Sequence, residues 1–109
     1  MNDFVVVARA HEIPSGTGRT VAVDGIWIAL FNVDGMFYAI DNSCPHAGGP
    51  LGEGTLCERV VECPWHGWKF DVASGERVGN PNFQVTRCEV RVQGDEIQIA
   101  IPPSLREPA

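Results

Sequence analysis

Residues 44–66, CPHAGGPLGEGTLCERVVECPWH, hold two of the three histidines and three of the four cysteines of the chain. A Cys-x-His motif, Cys44 with His46, opens the stretch, and a Cys-x-x-His motif, Cys63 with His66, closes it. Thiolate and imidazole are ligands of zinc and of iron–sulfur clusters. Two facing loops would therefore deliver two sulfur and two nitrogen ligands to one metal centre. A lone buried cysteine usually only fills space, but two paired motifs in one stretch predict a metal site.

The backbone around these motifs is rich in glycine and proline. Four glycines lie between residues 48 and 54, and a proline follows the cysteine of each motif. Ordinary turns also use such residues. Next to a metal site, however, glycine lets backbone N–H groups approach buried sulfur, whose negative charge needs hydrogen-bond donors. These loops are therefore suited to hold sulfur ligands.

Outside this stretch, apolar and polar residues alternate with the period of a β-strand. The clearest hairpin is IWIALFNVDGMFYAIDN, in which Asp34 and Gly35 form a strong two-residue turn signal. Val21 and Val23 are predicted to share one face of an earlier strand. No segment has the pattern of an amphipathic helix. The hairpin spans residues 26–42, and the other predicted strands lie at residues 4–10, 19–25, 59–63, 68–72, 84–92 and 97–101.

These patterns predict an all-β fold of short antiparallel strands in a single domain of 109 residues. Residues 1–41 and 84–109 would form the base β-structure around a shared core. Residues 42–83 would form a loop-rich insert that carries the metal site. The tail after residue 101 is expected to fray.

Composition and charge restrict the function. The formal net charge is −6 at pH 7, which argues against nucleic acids and anionic membranes and favours a partner with a basic docking face. No apolar run is long enough to span a bilayer, and the first residues lack the pattern of a signal peptide. A cytoplasmic location is therefore expected. In that reducing compartment, four cysteines indicate metal binding or catalysis before disulfides.

The two motifs resemble those of the Rieske [2Fe–2S] family, with 16 residues between His46 and Cys63. CPHAGGPLGEG and CPWHGWKFDVASGE are similar to the two cluster loops of that family. VGNPNF (78–83) is similar to its third loop, with Pro81 as the loop proline. The resemblance covers nearly the whole chain. It implies the Rieske fold, with antiparallel β-sheets as the base and residues 42–83 as the cluster-binding subdomain.

The resemblance also implies one Rieske-type [2Fe–2S] cluster per chain. Cys44 and Cys63 would bind the inner iron, and His46 and His66 the outer iron. Two ferric ions, two sulfides and two thiolates sum to zero charge, so an added electron is repelled less than in a four-cysteine centre. The reduction potential should therefore exceed that of all-cysteine clusters. Loss of an imidazole proton in the oxidised state would make the potential depend on alkaline pH.

Three positions depart from the high-potential members of the family. Those members carry an additional cysteine in each cluster loop, joined as a disulfide, and a serine two residues after the second histidine ligand. Gly49, Trp65 and Trp68 occupy these positions here. Fewer hydrogen bonds to sulfur lower the potential. The similarity is thus to the soluble ferredoxin branch, with an expected potential near the low end of the Rieske range, about −150 mV.

Four other residues could bear on the site. Cys57 and Cys88 are expected to pack in the core as small apolar residues. His11 has no partner motif and is expected on the surface. Trp65 lies between two predicted ligands and is expected to shield the cluster.

The resemblance implies electron transfer rather than catalysis, because the imidazoles complete the coordination of the iron and leave no open position. Soluble ferredoxins of this kind pass electrons from an NAD(P)H-dependent flavin reductase to a terminal oxygenase that acts on aromatic rings. The protein would then be one component of a dioxygenase system. We expect both partners to dock transiently at the tip formed by His46, His66 and Trp65.

Two alternatives remain open at this point. CPWHGWKFDVASGE also resembles the small Rieske-like subunit of NAD(P)H nitrite reductase, in which the domain would be bound permanently to a large subunit. A structural zinc domain is chemically possible as well, but zinc sites usually have other spacings. Iron and sulfide content would separate the zinc alternative from the others.

Overall fold

The computed structural model describes residues 4–45, 48–65 and 67–106, and these form an antiparallel β-protein. Among them, no helix has both the length and the apolar composition needed to cross a membrane. The helical segments are short: 3₁₀ turns at Ala10–Glu12 and Leu51–Glu53, and helix α1 at Pro103–Arg106. The strands are β1 Phe4–Arg9, β2 Thr17–Val23, β3 Ile26–Val33, β4 Met36–Asp41, β5 Thr55–Cys57, β6 Val60–Glu62, β7 Lys69–Asp71, β8 Arg87–Gln93 and β9 Glu96–Ala100.

A six-stranded sheet, the base sheet, contains strands from both ends of the sequence in the order β1-β9-β8-β4-β3-β2. Its pairings are antiparallel. The β3–β4 hairpin turns at Asp34 and Gly35, whose φ angles are 51° and 88°. Two positive φ values in a two-residue turn are characteristic of type I′, which matches the twist of the flanking strands. The predicted hairpin is confirmed, and the burial of Val21 and Val23 confirms their predicted shared face.

A three-stranded sheet with the order β5-β6-β7 lies between β4 and β8 in the sequence. Isolated bridges between Phe70 and Arg77 and between Glu76 and Gln84 continue the pairing toward β8. The chain therefore leaves the base sheet after β4, builds the small sheet, and returns to pair β8 with β4 and β9.

Strand β3 separates two hydrophobic cores, because successive side chains of a strand point to opposite faces. Ile28 and Leu30 lie in the core of the base sheet. Ala29 and Phe31 lie in a second core, shared with the small sheet. All four are fully buried, so β3 is covered on both faces. The second core also contains Ile40, Cys44, Leu51, Val61, Cys63, Phe70, Val72 and Val85.

The structure differs from the sequence-based predictions at both ends of the last strands. β8 begins at Arg87 rather than at residue 84. Val92, near the end of that strand, is 45% exposed. A helical turn forms at Pro103–Arg106, where fraying was expected, and proline suits the first position of a helix. Residues 107–109 lie outside the described ranges.

Candidate metal centre

The first cysteine loop begins directly after β4 with Asn42, whose side chain is buried. Its Oδ1 accepts hydrogen bonds from the Gly52 N–H at 2.7 Å and from the Thr20 hydroxyl at 3.1 Å. Its backbone N–H donates to the Trp27 C=O at 3.2 Å, and its C=O accepts from the Leu51 N–H at 2.8 Å. Asn42 therefore ties both ends of this loop to strands β2 and β3.

Cys44 is held by two backbone hydrogen bonds within the first loop. Its N–H donates to the Gly49 C=O at 3.0 Å, and its C=O accepts from the Gly48 N–H at 2.7 Å. Gly48 has a φ of 75°, in the left-handed region that residues with a Cβ rarely adopt. Cys44 is 2% exposed and belongs to the second core. The loop thus presents this cysteine inward.

Cys63 has the same two hydrogen bonds at the same sequence offsets in the second cysteine loop. Its N–H donates to the Trp68 C=O at 2.7 Å, and its C=O accepts from the Gly67 N–H at 3.1 Å. Gly67 has a φ of 77°, close to that of Gly48. Cys63 is also 2% exposed and in the second core. The two loops therefore have equivalent backbones around two buried cysteines.

The two loops touch at Gly49. A Cβ built on Gly49 would lie only 2.7 Å from the Sγ atom of Cys63, so a side chain at this position would displace the sulfur. Glycine here lets the backbone of the first loop approach the sulfur of the second. Backbone packed closely around buried sulfur is the environment that a ligating thiolate needs. Two buried cysteines with this glycine cradle fit a cluster that takes sulfur ligands.

Of the four predicted ligands, the structure describes Cys44 and Cys63, and it brings both into one core. His46 and His66 lie outside the described residues. Within the described ranges, no three or more histidine, cysteine, aspartate or glutamate side chains gather in a group able to hold a metal ion. A centre with two of its four ligands outside those ranges would give this result.

Trp65 lies at the junction between the two loops. Its Cγ would be 3.0 Å from a Cβ on Gly49, so the base of the indole rests on the first loop. Trp65 is nevertheless 57% exposed. The contact supports the expected shielding of the buried sulfur, and the exposure leaves a large apolar surface open beside it.

The third loop, residues 78–83, is attached to strand β7. The Arg77 N–H donates to the Phe83 C=O at 2.8 Å, which closes the loop. Val78, the first residue of the loop, donates its N–H to the Lys69 C=O of β7, also at 2.8 Å. Pro81 lies inside the loop, and its C=O accepts a hydrogen bond from the side-chain amide of Gln84. The loop is thereby held next to the end of the second cysteine loop.

The two cysteines outside the motifs differ in burial. Cys57 is exposed at the end of β5, so the expectation that it packs in the core is wrong. The sequence pattern did not predict β5, in which Leu56 points inward and its neighbour Cys57 points outward. Cys88 is buried, as expected. Burial, together with the smaller effect of the nearby charge of Asp41, raises the pKa of the Cys88 thiol to about 12, so this thiol stays protonated. Cys57, Cys63 and Cys88 form no disulfide.

Sequence reasoning missed the role of Asn42. A signal was present, because this polar residue directly follows an apolar strand and stands two residues before Cys44. Asparagine favours positions where its side chain can bond to nearby backbone groups. Its partners on the other strands, the Thr20 hydroxyl of β2 and the Trp27 C=O of β3, could not be predicted from this local pattern.

Comparison with known proteins gives one family and close relatives of similar length. The sequence matches the family model of the Rieske [2Fe-2S] domain over residues 3–94. The ferredoxin component of the naphthalene 1,2-dioxygenase system of Pseudomonas aeruginosa is 37% identical over 97 residues, which cover 88% of this chain and 93% of the relative.

Solved structures share the same architecture. A chain in the complex of reduced oxygenase and oxidized ferredoxin in carbazole 1,9a-dioxygenase superimposes with a TM-score of 0.83 at 33% identity, covering 92% of this chain and 94% of that chain. A small subunit of an NADH-dependent nitrite reductase from Mycobacterium tuberculosis gives a TM-score of 0.85 at 24% identity, covering 94% and 97%. At that identity the likeness shows the fold alone. The expected fold class is confirmed.

Proposed function

This chain belongs to the Rieske [2Fe–2S] family, and we propose that it is a soluble one-electron carrier that links a flavin reductase to a terminal oxygenase. One observation carries the proposal: two equivalent loops present two buried cysteines to the same core. Relatives described as ferredoxin components of dioxygenase systems support the electron-transfer role. The protein is in this view a component of such a system and does not itself catalyse oxygenation.

The proposed ligands are Cys44 and Cys63 for the inner iron and His46 and His66 for the outer iron. When bound, the cluster supplies a one-electron redox couple. The chain holds the cysteine sulfurs away from water and lets glycine backbone approach them. We assign residues 42–83 as the cluster-binding subdomain. Residues 1–41 and 84–109 are the base that keeps its two loops in position.

The proposed electron donor is an NAD(P)H-dependent flavin reductase, and the proposed acceptor is a terminal oxygenase that acts on an aromatic ring. A solved complex of an oxygenase with its ferredoxin, to which this fold is similar, supports the acceptor class. We place the contact at the tip formed by His46 and His66, beside the exposed ring of Trp65. The net charge of −6 suits basic docking faces on both partners, and a cytoplasmic location suits both.

The first experiment measures the cluster itself. An EPR spectrum of the dithionite-reduced protein should show a rhombic Rieske signal, with about two irons and two sulfides counted per chain on the same sample. A sample that is silent in EPR and contains zinc without sulfide would refute the proposal and leave a structural zinc domain.

The second experiment addresses the partners. The protein would be purified under native conditions from its source and then mixed, in air, with naphthalene, NADH and the reductase and terminal oxygenase of a naphthalene dioxygenase system. A free carrier should purify alone and restore product formation in this mixture. Stable co-purification with a large flavin and haem subunit, without product formation in the mixture, would instead identify a nitrite reductase subunit.

A further inference from the structure

A cation stacked on an aromatic ring lies beside the second cysteine loop. The guanidinium carbon of Arg77 is 3.4 Å from the centroid of the Trp68 ring and 5.8 Å from that of Phe83. The two rings meet edge to face, with centroids 5.1 Å apart. A guanidinium within about 6 Å of an aromatic centroid is attracted to the ring face, more strongly when it is partly withdrawn from water. Arg77 is half-buried, so both conditions are met.

This arrangement connects directly to the cysteine. The Trp68 C=O accepts the hydrogen bond from the Cys63 N–H, and the Trp68 side chain packs against the core that contains Cys63. On its other side, Arg77 pairs with Phe70 of β7 and bonds through its N–H to Phe83. The position of the charge is therefore fixed from two directions, next to the loop that holds one sulfur ligand.

The charge of Arg77 has no carboxylate counterion among the described residues. The ion pairs found there are Arg9–Glu96, His11–Asp95, Arg19–Glu12 and Arg59–Asp71. Stacking on Trp68 therefore holds this cation beside the second cysteine loop with no carboxylate of the described residues at ion-pair distance. Reduction adds one negative charge to the centre, so a nearby positive charge stabilises the reduced form more than the oxidised form.

We propose that Arg77 is a positioning residue of the metal centre: held on Trp68 beside the Cys63 loop, its positive charge raises the reduction potential. The proposal rests on the proposed function, since it requires the cluster. It also gives Trp68 a role of its own. This residue brings no hydroxyl group to the sulfur, but it provides the ring that holds the cation.

The test is a redox titration of the metal-loaded protein, followed by EPR. In Arg77→Met the aliphatic length is kept and the charge is lost; in Arg77→Gln a planar head is kept and the charge is lost; in Arg77→Lys the charge is kept. Both neutral variants should have a lower midpoint potential than the wild type, by similar amounts. The lysine variant should stay close to the wild type, although it cannot stack in the same way.

The matched control is Arg91→Met. Arg91 also stacks on an aromatic ring, with its guanidinium carbon 4.2 Å from the centroid of Phe4, but it lies on β8 of the base sheet. This variant loses the same charge and the same kind of contact, and its midpoint potential should be unchanged.

Several results would overturn the inference. One is that a neutral Arg77 variant has the same midpoint potential as the control Arg91→Met. Another is an equal fall in the lysine and neutral variants, since the effect would then come from loop geometry. Failure of both neutral variants to hold the cluster would show that Arg77 acts on cluster retention instead. Absence of the Rieske signal from the wild type would refute the proposed function itself. The titration therefore distinguishes failure of the proposed function from failure of the inference about Arg77.

Discussion

The two cysteine loops have equivalent backbone hydrogen bonds but are supported by different chemistry. The first loop is held by a polar group, the buried Asn42 amide, which bonds to Gly52 and to Thr20 of the base sheet. The second loop joins two short strands of the small sheet, and aromatic packing around Trp68 covers it. The same local geometry therefore does not require the same support.

The difference follows from what each loop faces. The first loop crosses the end of the base sheet, where backbone and hydroxyl groups need partners, and a side-chain amide can satisfy several at once. The second loop joins β6 to β7 of the small sheet. At its end, the rings of Phe70 and Phe83 and the guanidinium of Arg77 pack around Trp68. Glycine at equivalent positions, Gly48 and Gly67, then gives both loops the same turn.

The largest expected effect tests whether the two loops contribute equally. His46→Ala and His66→Ala should each abolish the Rieske EPR signal, because each would remove a ligand of the outer iron. Far-UV circular dichroism should remain that of a β-protein, because the strands of the base sheet lie outside both cysteine loops. A normal signal in one variant would refute that ligand assignment and the equivalence of the loops.

A smaller effect is expected from the polar support of the first loop. Asn42→Ala removes the acceptor of two hydrogen bonds and leaves the Gly52 N–H buried without it. The free energy of unfolding should fall by about 2 kcal/mol, as is typical for an unsatisfied buried group. Urea denaturation of the metal-loaded protein measures it. The control, Asn82→Ala, changes an exposed amide in the third loop, and an equal loss there would contradict the role of Asn42.

The exposed surface of the second loop predicts a kinetic effect. Trp65→Ala should slow electron transfer to the terminal oxygenase about tenfold, the size typical of a docking residue in an interface. Stopped-flow absorbance measures the second-order rate constant, and the EPR spectrum should not change. Met36, at the tip of the β3–β4 hairpin, is similarly exposed at 61%. Met36→Ala should leave the rate unchanged, and equal slowing in both variants would exclude a specific contact at Trp65.

The smallest effect concerns the base, to which both loops are attached. The hydrogen bond from His11 lowers the pKa of the Asp95 carboxyl below its ordinary value of 3.8. A lowered folded-state pKa stabilises the fold above the unfolded value, and that stabilisation is lost as pH falls through the folded value. The wild type should therefore exceed Asp95→Asn in stability at neutral pH. Thermal unfolding curves of the two should converge below about pH 3.8. A constant difference down to pH 2 would contradict this assignment.

Much of the fold could be predicted from local signals. The Asp34-Gly35 turn and the alternation of Val21 and Val23 depend only on neighbouring residues, and both were confirmed. The alternation of apolar and polar residues failed to predict a strand that is too short to show which of its side chains point inward. Leu56 and Cys57 are an example, since β5 has only three residues and its outward face holds the cysteine.

For the candidate site, the sequence predicted four ligands, of which the structure describes two. The motif spacing selected Cys44 and Cys63, and the structure places both in one buried core. The assignment of His46 and His66 as their partners stays a prediction. The supports of the loops could not be predicted, because Asn42 bonds to Thr20, which lies 22 residues away in sequence. No periodicity or motif encodes such a contact.

By itself, the sequence determined the all-β class, the main hairpin and the choice of candidate ligands. These depend on strand period, turn conformation and motif spacing, which are properties of residues close together in the chain. Only the tertiary structure decided that Gly49 meets the sulfur of Cys63 and that Arg77 stacks on Trp68. Such contacts depend on how whole sheets and loops pack, so their geometry exists only once the chain has folded.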